Sequence, residues 1–249
     1  MRPGSLAIMG IAAYSACLVA TMPARWVAER ALRQPLRVAL QDVQGTIWSG
    51  SARAAIGVYP GTFTVDRVEW GFLPSRLLQG RAAYEVAIRG AGFEARGELG
   101  RSFGAWTARN LDARVDAAVA TVLAPWMGAW RPEGTVTAKA PSLDYAQPEL
   151  RGQMRIDWTG AATALSEVKP LGTYRAEVAA EGAGARLTVT TQSGPLRVAG
   201  QGRITFPSQL TFSGEARGEG PRAPALDPLL GLMGTRKPDG SYAIEWRAR

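Results

Sequence analysis

The stretch Tyr84-Glu85-Val86-Ala87-Ile88-Arg89, followed by Gly90-Ala91-Gly92, decides the fold. Tyr84, Val86 and Ile88 alternate with Glu85, Ala87 and Arg89, a period that places one set on each face of a β-strand. The glycines behind it mark a tight turn. The same pattern recurs along the chain. Leu187 and Val189 alternate with threonines, and Leu196 and Val198 with Arg197 and Ala199. Tyr242, Ile244 and Trp246 alternate with Ala243, Glu245 and Arg247. Gly182-Ala183-Gly184 and Gln192-Ser193-Gly194-Pro195 punctuate these runs. From Leu36 onward the chain reads as half-buried antiparallel strands. Helix is scarce. Asp227-Pro228 supplies an N-cap and a proline at the first helical position, and Gly234 a stop, which frames a short helix over Pro228 to Met233. A second is expected near Val122 to Trp126, before Arg131-Pro132.

Weak internal echoes suggest two related halves. Trp48-Ser49-Gly50-Ser51-Ala52-Arg53-Ala54 matches Trp158-Thr159-Gly160-Ala161-Ala162-Thr163-Ala164, and Glu85-Val86-Ala87 with its glycines matches Glu177-Val178-Ala179 with Gly182-Ala183-Gly184. A third echo sets Gly152-Gln153-Met154-Arg155-Ile156 against Gly200-Gln201-Gly202-Arg203-Ile204. The expectation is a duplicated β-hairpin unit.

Hydrophobic residues make up 46% of the 249 positions and charged residues 20%, mostly single, which is a globular pattern with enough apolar side chain for a core. The net charge is +8, which raises nucleic-acid binding as an option. The arginines, however, are scattered from Arg2 to Arg249 with no dense block, so the sequence gives no nucleic-acid surface. Only Arg25, Arg30, Arg33 and Arg37 approach a stripe, and they read as a basic collar beside a membrane or as a solvated face. The single cysteine, Cys17, excludes an intrachain disulfide, so the fold holds together by packing.

Leu6 to Met22 is a run of 17 residues without a charge. As a helix it would be about 26 Å long, close to the hydrocarbon thickness of a bilayer. The reading is an uncleaved membrane anchor with Trp26 at the interface. A cleaved signal peptide would have to use Met22-Pro23-Ala24, and a lipoprotein signal Ser15-Ala16-Cys17 behind Tyr14; both are poor sites. The expected organisation is a cytoplasmic tail over 1–5, a transmembrane anchor over 6–22, a helical juxtamembrane linker over 23–35 ended by Pro35, and a β domain over 36–249. The flanking arginines, counted alone, would put the N-terminus outside.

No catalytic constellation is visible. There is no histidine, the commonest general base and metal ligand. The only cysteine lies in the apolar segment, which removes a thiol nucleophile and a thiolate zinc site. Walker A and complete dinucleotide-binding glycine patterns are absent. Ser166-Glu167-Val168-Lys169 has the serine–lysine spacing of some acyl-transfer enzymes, but Pro170 follows and the partner motifs are missing, so it reads as a solvated turn. Asp42, Asp66, Glu69, Glu85, Glu94 and Glu98 fall singly at strand positions and read as solvent-facing. Trp48, Trp70, Trp106, Trp126, Trp130, Trp158 and Trp246 read as core or edge fillers. The expectation is no enzyme, no cofactor and no metal.

Val43-Gln44-Gly45-Thr46-Ile47-Trp48-Ser49-Gly50 resembles the opening block of the type II secretion system protein N family. Val68-Glu69-Trp70, Leu73-Pro74 and Leu77-Leu78-Gln79-Gly80-Arg81 are similar to its next block. Leu171-Gly172-Thr173-Tyr174, Ser193-Gly194-Pro195-Leu196-Arg197 and Asp239-Gly240-Ser241-Tyr242 follow in the family's order. The resemblance implies a single-pass inner-membrane protein with a periplasmic β domain, and it outweighs the charge count for orientation. It implies membership of the machine that exports folded proteins across the outer membrane, and it carries over no catalytic residues.

Two modes of action are expected on these grounds. In the first, exposed strand edges or the region of Trp48, Ser49, Gly50 and Trp70 contact another secretion component by strand addition. In the second, a large curved antiparallel sheet, sandwich-like or open, handles lipid on an uncovered apolar face, as its loose similarity to AsmA-like β modules implies.

Overall fold

The computed structural model describes residues 21–25, 38–58, 61–123, 125–147, 149–205 and 209–248. Among the described residues fourteen strands form one antiparallel sheet. They are β1 (Val38–Gly45), β2 (Ser49–Val58), β3 (Gly61–Phe72), β4 (Ala82–Gly90), β5 (Phe93–Ser102), β6 (Ala105–Asp116) and β7 (Pro132–Ala146). Then come β8 (Glu149–Thr163), β9 (Gly172–Gly182), β10 (Gly184–Ser193), β11 (Leu196–Thr205), β12 (Gln209–Gly218), β13 (Thr235–Arg236) and β14 (Tyr242–Ala248). Each strand from β1 to β12 pairs with the next in sequence; β14 follows β12, and β13 lies outside it. Among the described residues two short α-helices, α1 (Ala117–Leu123) and α2 (Asp227–Met233), interrupt the meander.

The alternation in each strand adds up, through the register, to two opposite faces. One row of directly paired residues runs Ala52, Val68, Ile88, Ala95, Ala113, Ala138, Ile156, Ala176, Val189, Gly200, Gly214 and Ile244. The row one residue over runs Arg67, Arg89, Glu94, Arg114, Thr137, Asp157, Arg175, Thr190, Ala199 and Glu215. A one-residue slip anywhere would carry charges onto the apolar side, so the pattern fixes the register. Ion pairs lace the charged side, among them Arg175 to Asp157 at 2.6 Å and Arg96 to Asp112 at 3.5 Å.

The sheet bends. Strands two apart in a flat sheet lie about 9.5 Å from each other, yet Cα atoms of β8 and β10, and of β9 and β11, approach within 8 Å. Bulges between Lys139 and Ser142, Trp158 and Ala161, and Thr191 and Ser193 add to the bend.

In a meander, successive connections fall at alternate ends of the sheet. One end carries α1, the 3₁₀ turn Pro125–Trp130, the 164–171 loop, the 3₁₀ turn Ala223–Leu226 and α2. The 164–171 loop, the Ala223–Leu226 turn and α2 close the one fully buried cluster among the described residues, with Trp130 packed against it: Val168, Leu171, Leu196, Ala216, Leu226, Leu229, Leu230, Tyr242 and Ile244. The opposite end has short hairpins and the 3₁₀ turn Pro74–Gln79. Away from the helices the large residues of the apolar face, such as Met154, Ile156, Val178, Leu187 and Phe212, are only half-buried. A second layer would bury them, so among the described residues the domain is an open bent sheet and not a filled sandwich.

Two expectations about helices need correction. The first short helix covers Ala117–Leu123, with a 3₁₀ turn over Pro125–Trp130, instead of a helix over Val122 to Trp126. More important, the expected single N-terminal transmembrane helix is not found: among the described residues no helix is long and apolar enough to cross a membrane. Residues 6–20 of the expected anchor and 26–35 of the expected linker lie outside the described residues. Where the span should end, the chain instead meets the β domain. The Met22 carbonyl accepts the Ile47 N–H at 3.0 Å, Pro23 bridges to Thr46, and Ala24 is buried. The transmembrane, inner-membrane, single-pass placement inferred from the apolar run is therefore withdrawn. The helix Pro228 to Met233 is found as α2, one residue longer at Asp227.

Candidate functional site

The β1–β2 connection is built around Thr46. Its N–H donates to the Ser49 carbonyl at 2.8 Å, and its hydroxyl accepts the N–H groups of Trp48 and Ser49 at 3.2 Å each. A threonine side chain thus closes a turn that the backbone alone would leave open. Gly45 supports it at φ +85°, a conformation that disfavours any Cβ.

The structure brings together the four residues singled out from the sequence. Trp70, opposite Gly50, donates its indole N–H to the Thr46 carbonyl at 3.0 Å. A Cβ on Gly50 would lie 2.6 Å from Cζ2 of Trp70 and would also strike the Gln44 carbonyl, so only glycine fits beneath that ring. Trp48 is half-buried and meets Phe72 edge-on at 4.9 Å; Phe72 continues to Tyr84 at 5.2 Å. Ser49 is exposed. This aromatic row anchors the turn to the apolar face.

Beside the turn, β1 is the outermost strand. Among the described residues its main chain pairs with β2 on one side only. Ala39 and Gln41 are exposed. The register shifts between Gln41 and Gln44, where Asp42 has φ 52° and pairs with Arg53 at 3.1 Å, so the regular edge is Val38–Gln41. Sequence reading named strand edges in general; the meander shows which strand is outermost.

A second feature was not visible in the sequence. Under α2, a cavity of about 260 Å³ opens on the apolar face. Its walls include Trp130, Trp158, Tyr174, Val198, Leu229 and Met233. Its polar atoms are occupied: the Tyr174 hydroxyl donates to the Leu196 carbonyl at 3.0 Å, the Trp158 indole to the Glu133 carbonyl at 3.0 Å, and the Thr163 hydroxyl to the Trp130 carbonyl. Burial pushes the Tyr174 pKa above its ordinary value, with Arg197 opposing. Alternating Leu196 and Val198 carried half of the signal for this cavity. The helix that roofs it is distant in sequence, and Trp130 and Trp158 read only as filler.

The catalytic candidates stay apart. Ser166 lies in a non-helical turn, where its hydroxyl accepts the Val168 N–H at 3.1 Å. Lys169 pairs instead with Glu133 at 2.5 Å. The turn is not solvated as expected, because Ser166 and Val168 are buried. Glu98 also departs from the solvent-facing expectation: it is buried and bonded by Arg76 at 2.7 and 3.0 Å. No group of three or more metal-ligating side chains occurs among the described residues.

The family model for type II secretion system protein N matches residues 36–245. Neither the curated proteins nor the solved structures give a match. The matched span starts two residues before β1 and ends inside β14, so it takes in the whole sheet apart from its last residues. The chain belongs to the family of type II secretion system protein N.

Proposed function

We propose that this non-catalytic component of the type II secretion system makes its protein contact through the outer edge of β1 and the Thr46–Ser49 turn beside it. The observation that carries the reading is the main-chain edge of Val38–Gln41, which among the described residues pairs on one side only and carries exposed Ala39 and Gln41. An edge of this kind accepts a partner's strand through backbone hydrogen bonds, while the turn supplies shape. The bulge at Asp42 limits the added strand to a short segment and discourages open-ended stacking of sheets.

The test is photo-crosslinking in cells from probes at Ala39 and Gln41, with a control probe at Thr190, exposed on the charged face in mid-sheet. The edge probes are expected to give an adduct with another secretion component that the Thr190 probe does not. Equal protein adducts from all three positions, or none from β1, would refute the assignment.

A further inference from the structure

The open half of the sheet raises a separate question: what covers its apolar face. We propose that the cavity under α2, and the apolar floor running from it toward the hairpin end, bind the hydrocarbon tail of a lipid.

The shape fits a chain. At about 30 Å³ for each small group, the cavity of about 260 Å³ holds roughly nine methylene-sized units. From Trp158 at the cavity, β8 continues through Ile156 and Met154 to Leu150, all half-buried. That row is about 26 Å long at strand rise, more than the ~15 Å depth of one leaflet of bilayer hydrocarbon. Val178 on β9 and Leu187 on β10 stand in register beside it. The helices block one end, so a tail enters from the hairpin end and leaves its head group there in water.

The chemistry fits hydrocarbon better than peptide. A peptide segment would bring N–H and C=O groups that need partners, and the hydroxyls of Tyr174 and Thr163 and the indole of Trp158 are already committed within the chain. The floor also lacks charge. Among the strand residues whose register places them on this face, the charged side chains lie at its margins: Arg101, paired with Trp106 at the hairpin end, its guanidinium 5.3 Å from that ring, and exposed Arg236 on the outer strand β13, opposite Tyr242. Around that end the apolar residues come into the open: Leu78 and Phe103 are 92% and 99% exposed, and Trp106 and Tyr145 are exposed too.

The experiment uses the purified full chain and a dibrominated octadecanoic acid, whose bromines quench nearby tryptophan, below the concentration at which it forms micelles. Saturable quenching is expected, and Trp158→Phe should remove a large part of it. Val198→Phe, which fills the cavity, should weaken binding at least tenfold. Ala199→Phe, on the opposite face, should leave it unchanged. Non-saturable quenching, or quenching indifferent to Val198→Phe in a variant that still unfolds cooperatively, would overturn the proposal. Displacement of the acid by an apolar peptide of equal affinity would also overturn it. Should Val198→Phe fail to fold, the Trp158→Phe result decides alone. None of these outcomes bears on the β1 contact, which uses another surface.

Discussion

Two leucines on the same face of the sheet should respond very differently to truncation. Leu230 lies on α2 within the buried cluster, 2% exposed, held between Leu226, Leu229 and the sheet. Leu230→Ala removes its transfer free energy and leaves a hole that its anchored neighbours cannot close, for a loss of about 2–5 kcal/mol. Leu187 sits on β10 with its side chain on the open part of the face, half-buried. Its truncation exposes no closed cavity and gives up only part of a leucine's burial, about 1 kcal/mol. The difference between the variants should therefore be about 1–4 kcal/mol. Urea unfolding of the full chain, followed by tryptophan fluorescence in the absence of lipid, measures both. If Leu187→Ala costs as much as Leu230→Ala, the apolar face is covered, and the open-sheet reading fails with it.

Gly50→Val should cost about 1–3 kcal/mol through overpacking, because its side chain must displace the Trp70 ring and the Gln44 carbonyl; a thermal midpoint within a degree of the parent would contradict this geometry. Asp239 accepts hydrogen bonds from the hydroxyl and N–H of Ser241, which hold its carboxyl below the usual carboxylate range. A carboxyl depressed in the folded state stabilises the fold above its unfolded pKa and loses that effect as pH falls through the folded one. Carboxyl NMR titration should thus show Asp239 titrating low in the parent and nearer the ordinary range in Ser241→Ala; an unmoved midpoint would assign the shift to another cause.

Much of the sheet was legible because its determinants are local. The alternation in Tyr84–Arg89 or Leu196–Ala199 sets which side chains share a face, and Gly90-Ala91-Gly92 sets where the strand turns. Asp227-Pro228 and Gly234 likewise bracket a helix within a few residues. What stayed hidden depends on distant partners. A half-buried face and a sandwich interior have the same alternation, so Leu187 and Ile156 could not announce that no second layer of described residues packs over them. Ser166 and Glu98 read as surface because the groups that bury and bond them, the 164–171 loop around Val168 and Arg76 on the 3₁₀ turn, are set by tertiary packing. The Ala117–Leu123 helix starts directly after β6, and Asp116 before it, a residue type that caps helices, equally fits the charged face of the strand it ends. The apolar run over 6–22 was judged on its own hydrophobicity, whereas the docking of Met22 and Pro23 onto Thr46 and Ile47 is a property of the folded domain. At the candidate contact site the Gly-Thr-Ile-Trp-Ser-Gly block drew notice, but the reason for Gly50 lies in Trp70, twenty residues away and opposite it in register.

The next-neighbour order of β1 to β12 bears on how such a domain is assembled and how it changes in length. Every strand finds its partner in the hairpin just made, so loop closure stays short and pairing can advance along the chain from one edge. No described strand is threaded between two others that are already paired; β14 settles between β12 and β13, which do not pair with each other. A hairpin inserted or lost within the run would lengthen or shorten the sheet by two strands without rerouting any other connection. The bent apolar floor would grow or shrink in proportion, while the helical cap at its end stayed the same.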